Sequence, residues 1–382
     1  YVRKEETFAH SVMLAINTNT KMSDKPIYEG GKRFAFSTDE YYMKGDSEMR
    51  ADGWSDDELF GTRAIAERCN AEIKPNMKLP RYPKLPAGVS SMEYLKEICR
   101  QGWDKKRIGW RTKNDYNGRI HKEFEDIEKT GIADYFLIVS DYCRWARTQG
   151  FGVGDGRGSA AGSLVSYLTD ITTIDPLKYG LYWERFWNAG RKDVGMPDID
   201  CDFSQINRGK IIEYIKNTFG HNRVIPIISF NKMQTKMVLK DVGRALGICS
   251  EEMNKITAQV PHKVESIEDA IEKSVTLREY EEKYRKVFEV AKQLQGTVRN
   301  TSTHPSALVI LDTPAEDGDI PLAYDAKSKG LITGYDMYTL DWLGYLKIDC
   351  LGLKNLDVLT IVEDLFNRRK VSAKENKVLH KV

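Results

Sequence analysis

The stretch "VGMPDIDCDFS", residues 194–204, places Asp198, Asp200 and Asp202 at strict alternation behind a proline. Side chains two apart on a strand share a face. The three carboxylates therefore converge, while Ile199, Cys201 and Phe203 form an apolar opposite face. Like charges a few ångströms apart repel, and burial deepens the penalty. A divalent cation removes it, because Mg2+ prefers hard oxygen ligands and borrows others from a substrate phosphate. The competing reading is a solvated edge strand whose acids discourage aggregation. The apolar back, and the lack of a turn signal after "MP", count against that reading.

A second stretch repeats the theme. In "YLKIDCLGL", residues 345–353, Lys347 and Asp349 share one face and Leu346, Ile348 and Cys350 the other. Alone, such a Lys–Asp pair is more often a structural ion pair than a site. Beside the first strand it supplies a third carboxylate. A carboxylate pair plus one more acid is the minimum set for two metal ions roughly 4 Å apart, which clamp the attacking and leaving oxygens of a phosphoryl transfer.

Between these strands and the amino terminus lies "GDGRGSAAGS", residues 154–163. Backbone amides at the helix start predicted here favour an anion such as phosphate. The loop has neither the Walker A spacing nor the dinucleotide fingerprint. A tight turn with close helix packing explains the glycines equally well. Downstream, residues 205–245 hold eight Lys/Arg against two acids, and Lys232, Lys236, Lys240 and Arg244 recur every four residues. On a helix they form one basic stripe, which suits a phosphate backbone better than a merely solvated face.

The whole chain sets the frame. Its 382 residues predict more than one domain, and its 41% hydrophobic and 30% charged residues are those of a globular protein with a real core. A net charge of +2 means that any nucleic-acid site is local. No run of 18 apolar residues predicts a membrane span. The six cysteines form no C-x-x-C pair, which suits reduced thiols in the cytosol rather than a zinc site. Tyr1 at one end and a lysine-rich run at the other point to a piece of a longer protein. Ser55 caps a predicted helix, and four prolines in residues 74–88 mark a linker with a boundary near 75. Helices are predicted over 91–107 and about 117–147, the latter broken at "TGIADY" and ending at Gly150. Residues 205–300 read as mostly helical, and "HPSALVIL", 304–311, as a returning strand.

Six ordered segments together resemble the catalytic alpha subunit family of bacterial replicative DNA polymerase III, the C family of DNA polymerases. They are "VGDGRGSAAGSLVSYLTDIT", "YWERFWN", "MPDIDCDF", "KDVGRALG", "RNTSTHPSALVI" and "LKIDCLGLKNLDVL". The resemblance implies an α+β fold: a polymerase-beta-like nucleotidyltransferase palm with an inserted helical thumb. It implies a palm over 73–229 and 305–357, a thumb over 230–304, the end of a PHP domain over 1–72 and the start of the fingers over 358–382.

The same resemblance implies template-directed DNA synthesis with two Mg2+ ions held by Asp198, Asp200 and Asp349. Asp202 is then no principal ligand. Gly158, Ser159, Arg185 and Lys347 match positions around the incoming triphosphate, and a further basic position falls at Arg191 or Lys192. Lys232, Lys236, Lys240, Arg244 and His304 are the expected DNA contacts. Asp155 stands where the family has proline, and an acid there is tolerable only if it turns away from the triphosphate. Primer–template DNA and dNTPs are the implied substrates. The full-length protein is expected to meet a sliding clamp and a proofreading exonuclease in the cytoplasm. Two rival readings stay open: a non-templated nucleotidyltransferase, and a DNA-binding piece without catalysis.

Overall fold

The structure is a computed structural model and describes residues 1–108, 113–188, 197–318 and 320–379. The chain forms two compact units. One contains Tyr1–Ile73 and Phe230–Ser302, the other Lys74–Ser229 and Thr303–Val382.

The first unit is built on helices. Helix Thr7–Asn17 buries Ala9, Val12, Ala15 and Ile16, a stripe at helical spacing that needs cover from elsewhere. Helix Thr235–Ala245 supplies Val238, Leu239 and Val242, and helix Arg285–Leu294 supplies Val287, Phe288 and Ala291 to the same core. Segments far apart in sequence thus share one interior. Helix Asp56–Arg68 begins at Ser55, whose hydroxyl accepts the Glu58 amide, and it buries no side chain.

The described residues form six strands: β1 (Cys201–Ser204), β2 (Val224–Lys232), β3 (Val298–Ile310), β4 (Leu322–Asp325), β5 (Gly330–Thr333) and β6 (Lys347–Leu353). Four make one sheet in the order β1-β6-β3-β2, and β4 and β5 pair separately as an antiparallel hairpin. β1 runs parallel to β6, and β3 antiparallel to it.

Two strands depart from the sequence reading. β2 lies in a region read as mostly helical, and its Pro226 is tolerated because β2 is at the sheet edge. β3 begins at Val298 rather than His304, through the polar run "VRNTST" that hydrophobic alternation cannot reveal.

The sheet has two different faces. On one, Cys201, Phe203, Leu308, Ile310, Ile348 and Cys350 join Phe136, Tyr142 and Cys143 of helix Ala133–Thr148 and Ile211 and Ile215 of helix Arg208–Phe219. Each buried Leu, Ile or Phe side chain among them contributes about 1.5–3 kcal/mol. The other face is apolar only over β3 and β2, where Ala307, Val309, Ile225 and Ile227 meet Leu340 and Tyr345. Over β1 and β6 that same face carries the charged residues.

The proline-rich linker is fastened by polar bonds. Asp141 on helix Ala133–Thr148 accepts the Tyr82 hydroxyl at 2.9 Å, the Lys84 ammonium at 2.7 Å and the Tyr214 hydroxyl at 2.7 Å. No described helix is long and apolar enough to cross a membrane.

Candidate active site

Strand pairing begins at Cys201, so Asp198 and Asp200 stand in the chain just before β1 rather than within it. The alternation survives, because Ile199, Cys201 and Phe203 are all buried. Cys201 lies beside Cys350 in the parallel register. One residue back, that register sets Asp200 beside Asp349, and two further back, Asp198 beside Lys347. Neighbouring strands lie about 4.8 Å apart. Asp198, Asp200 and Asp349 accordingly present ligand atoms within 4.8 Å of one another.

The buried Tyr135 hydroxyl accepts the Ile199 amide at 2.8 Å, which fixes the backbone between the first two acids from below.

The charges are only partly balanced. Lys347 Nζ lies 2.9 Å from Asp349 and 3.2 Å from Asp198. Burial opposes the lysine's charge, but these carboxylates outweigh it and raise its pKa above the ordinary range. The Asp200 carboxyl is itself raised, by burial first and then by Asp198 and Asp349, with Arg157 and Lys347 opposing. Asp349 is buried, and its Oδ1 has no hydrogen-bond partner among the described residues. A buried orphan oxygen beside two further carboxylates is a donor set that fits a hard divalent cation.

The glycine loop lies along the free edge of β1. The Gly154 amide donates to the Asp202 carbonyl at 2.8 Å, and the Ser204 amide to the Gly152 carbonyl at 2.8 Å. Gly158 then takes a left-handed φ of +62°, and a Cβ there would lie 3.7 Å from Asp200 Oδ2. The helix expected from Ser159 onward is divided in two. Gly158–Gly162 is a 3-10 turn, and an α-helix starts only at Leu164, because Ser163 caps it by accepting the Ser166 amide.

Glu123, fully buried on helix Lys113–Thr130, holds this start. It accepts the Leu164 amide at 2.8 Å, the Val165 amide at 2.9 Å, the Ser163 hydroxyl at 2.9 Å and Arg119 Nε at 2.7 Å. Asp155 accepts the Thr173 hydroxyl at 2.6 Å.

The remaining expected residues divide by unit. Ser159 is half-buried within the glycine turn, and Arg185 is exposed at the end of the turn Trp183–Arg185. The two turns touch, since a Cβ on Gly162 would lie 2.6 Å from the Tyr182 carbonyl. His304 Nδ1 accepts the Ala307 amide at 2.9 Å, which leaves the neutral ring's proton on Nε2. Burial lowers the His304 pKa, Asp349 opposes this, and Lys347 and Arg208 reinforce it.

Lys232, Lys236, Lys240 and Arg244 belong to the first unit. Lys232 ends β2 and precedes the helix, because the helix is capped only at Gln234, so the expected stripe is shortened to its later members. Lys236 and Lys240 are exposed. Arg244 instead bonds the Asn19 side chain at 2.7 Å and the Ile16 carbonyl at 3.2 Å, closing the end of helix Thr7–Asn17. Arg191 and Lys192 lie outside the described residues.

Arg157 escaped the sequence reading. Its Nη1 lies 3.3 Å from Asp202 Oδ1 and its Nε 3.9 Å from Asp200 Oδ2. Its signal in the sequence is a lone arginine between the loop's glycines.

A mixed α/β domain with three converging carboxylates that fit a cation, beside a glycine turn, defines the class. The description "Bacterial DNA polymerase III alpha NTPase domain" matches residues 93–352, and the chain belongs to that family. Among curated relatives, the DNA polymerase III subunit alpha of Thermus aquaticus is 35% identical over 94% of this chain and 34% of its own length. That of Aquifex aeolicus is 35% identical over 97% of this chain and 34% of its own length. That of Staphylococcus aureus is 38% identical over 77% of this chain and 27% of its own length. The chain spans about a third of the length of the first two of these relatives.

Proposed function

We propose that the chain is part of the catalytic core of a replicative, template-directed DNA polymerase, which extends a primer 3′-hydroxyl with deoxynucleotides and releases pyrophosphate. The observation that carries this reading is the convergence of Asp198, Asp200 and Asp349 within 4.8 Å. Family membership adds the polymerase context. On this reading, residues 73–229 and 305–357 are palm, 230–304 thumb, 1–72 the end of a PHP domain and 358–382 the start of the fingers. The full-length protein works in the cytoplasm with a sliding clamp and a proofreading exonuclease.

Asp198, Asp200 and Asp349 would hold two Mg2+ ions. Bound there, the ions supply positive charge that acidifies the primer hydroxyl and neutralises the departing pyrophosphate. The primer 3′-oxygen gives up its proton to water and forms a bond to the α-phosphorus, and the bond from that phosphorus to the pyrophosphate oxygen breaks. Backbone amides of Gly158 and Ser159 bind the triphosphate, and Lys347 and Arg185 add charge where it accumulates. Little else is required, since phosphoryl transfer depends chiefly on positioning and electrostatics. Lys232, Lys236, Lys240 and His304 contact the DNA, with Arg244 bracing the helix behind them. Base pairing with the template selects the nucleotide.

The test is Asp200→Asn in the full-length protein. Mg2+-dependent primer extension is expected to fall by roughly a hundredfold or more, a share of the several kcal/mol that such ions supply. Full extension by that variant would sink the assignment. Incorporation without a template by the wild type would favour a terminal nucleotidyltransferase instead.

A further inference from the structure

Asp202 shares a face with Asp198 and Asp200 yet lies outside the cation cluster. Its contacts point toward the glycine loop. The Asp202 carbonyl accepts the Gly154 amide at 2.8 Å, and a Cβ on Gly154 would stand 3.0 Å from the Asp202 Cβ. The Asp202 carboxylate takes Arg157 Nη1 at 3.3 Å. One residue therefore grips the loop at both Gly154 and Arg157, and the next residue is Gly158. The same arginine reaches to 3.9 Å from Asp200.

The ion pair is half-exposed on the arginine side, with 48% of that side chain accessible against 14% for Asp202. Pairs of this kind add little to stability. A directional guanidinium–carboxylate contact does fix geometry.

We infer that Asp202 is a positioning residue that acts through Arg157 to hold the Gly158–Ser159 turn in register with the acids. Its effect falls on nucleotide binding and not on metal binding. This rests on the polymerase reading above, in which that turn takes the triphosphate. It also gives the third aspartate of the alternating run a task that is neither cation binding nor surface charge.

The experiment compares full-length wild type with Asp202→Asn, Arg157→Gln, the double variant and Asp202→Glu. Single-nucleotide incorporation in Mg2+ is measured over a range of dNTP concentrations. Mn2+ binding is measured separately by electron paramagnetic resonance, and dNTP binding to the Mn2+-loaded protein by fluorescence. Asp202→Asn and Arg157→Gln are each expected to raise the KM and the Kd for dNTP about tenfold with kcat little changed, and the double variant to be no worse than either. Asp202→Glu restores part of the loss, and Mn2+ affinity and the unfolding midpoint stay at wild-type values.

Weakened Mn2+ binding in Asp202→Asn overturns the inference, because Asp202 is then a ligand. Multiplicative losses in the double variant overturn it too, because the two residues then act separately. An unchanged Kd for dNTP does the same. A wild type that binds dNTP with Mn2+ but never extends a primer defeats the polymerase reading instead, and the Kd comparison still decides the role of Asp202.

Discussion

Tyr135 shows how much of the site is set by a residue that carries no charge. Its hydroxyl accepts the Ile199 amide at 2.8 Å, midway between Asp198 and Asp200 of the acid cluster, and both residues are buried. Tyr135→Phe keeps the ring and removes the acceptor, leaving a buried amide unpaired at about 1–3 kcal/mol. The backbone between Asp198 and Asp200 then loses its fixed height. Groups that orient metal ligands typically change metal affinity by about 10–100-fold when removed, and Mn2+ binding to Tyr135→Phe is expected to weaken by about tenfold, at the lower end. Tyr142→Phe is the control, since that hydroxyl donates to Cys201 Sγ at 3.8 Å and not to the backbone between the acids. Equal Mn2+ affinity in Tyr135→Phe and wild type would remove Tyr135 from the site. The sequence holds no sign of this contact. Tyr135 stands at the start of a predicted helix with nothing to single it out, and only the packing of helix against strand reveals its partner.

Among the elements, the short helix Leu164–Leu168 depends on a buried acid from another helix. Glu123 accepts two of its first amides, and burial raises the Glu123 carboxyl above its ordinary range although those amides and Arg119 pull it down. A carboxyl raised in the folded state supports stability fully below the ordinary glutamate pKa. That support is lost as pH rises through the folded value. Wild-type stability is therefore expected to carry a falling component from the ordinary carboxylate range upward. Glu123→Gln removes it, so the difference between the two urea-unfolding free energies, each taken for the transition of the unit that contains Glu123, changes across that window. A difference that stays constant with pH shows that Glu123 does not titrate there.

Elements differ in how plainly the sequence displays them. Local periodicity showed the helices Ser91–Lys106 and Ala133–Thr148 and the apolar backs of β1 and β6. It showed both strands of the acid cluster and left their adjacency to the register. β2, the polar start of β3 and the break at Ser163 stayed hidden, because each is decided by a partner or a cap rather than by spacing along the chain.

At the scale of the molecule, each of the two units has its own interior. Phe288 lies in the core of the first, and Phe203 in the core of the second behind the acids. Separate cores predict unfolding in more than one step, so a single free energy does not describe this chain. Phe288→Ala and Phe203→Ala are each expected to destabilise by about 3–5 kcal/mol. In calorimetry, the first lowers one transition and the second lowers the other. On the proposed reading Mg2+ binds Asp198, Asp200 and Asp349, all of the second unit, and is then expected to stabilise only the transition that Phe203→Ala lowers. At a hundred times its dissociation constant the ion adds about 2.7 kcal/mol to that step. Asp200→Asn abolishes the shift and leaves the Phe288-sensitive transition where it was. A Mg2+ shift of equal size in both transitions, or in the one that Phe288→Ala lowers, would place the cation elsewhere than the three converging carboxylates.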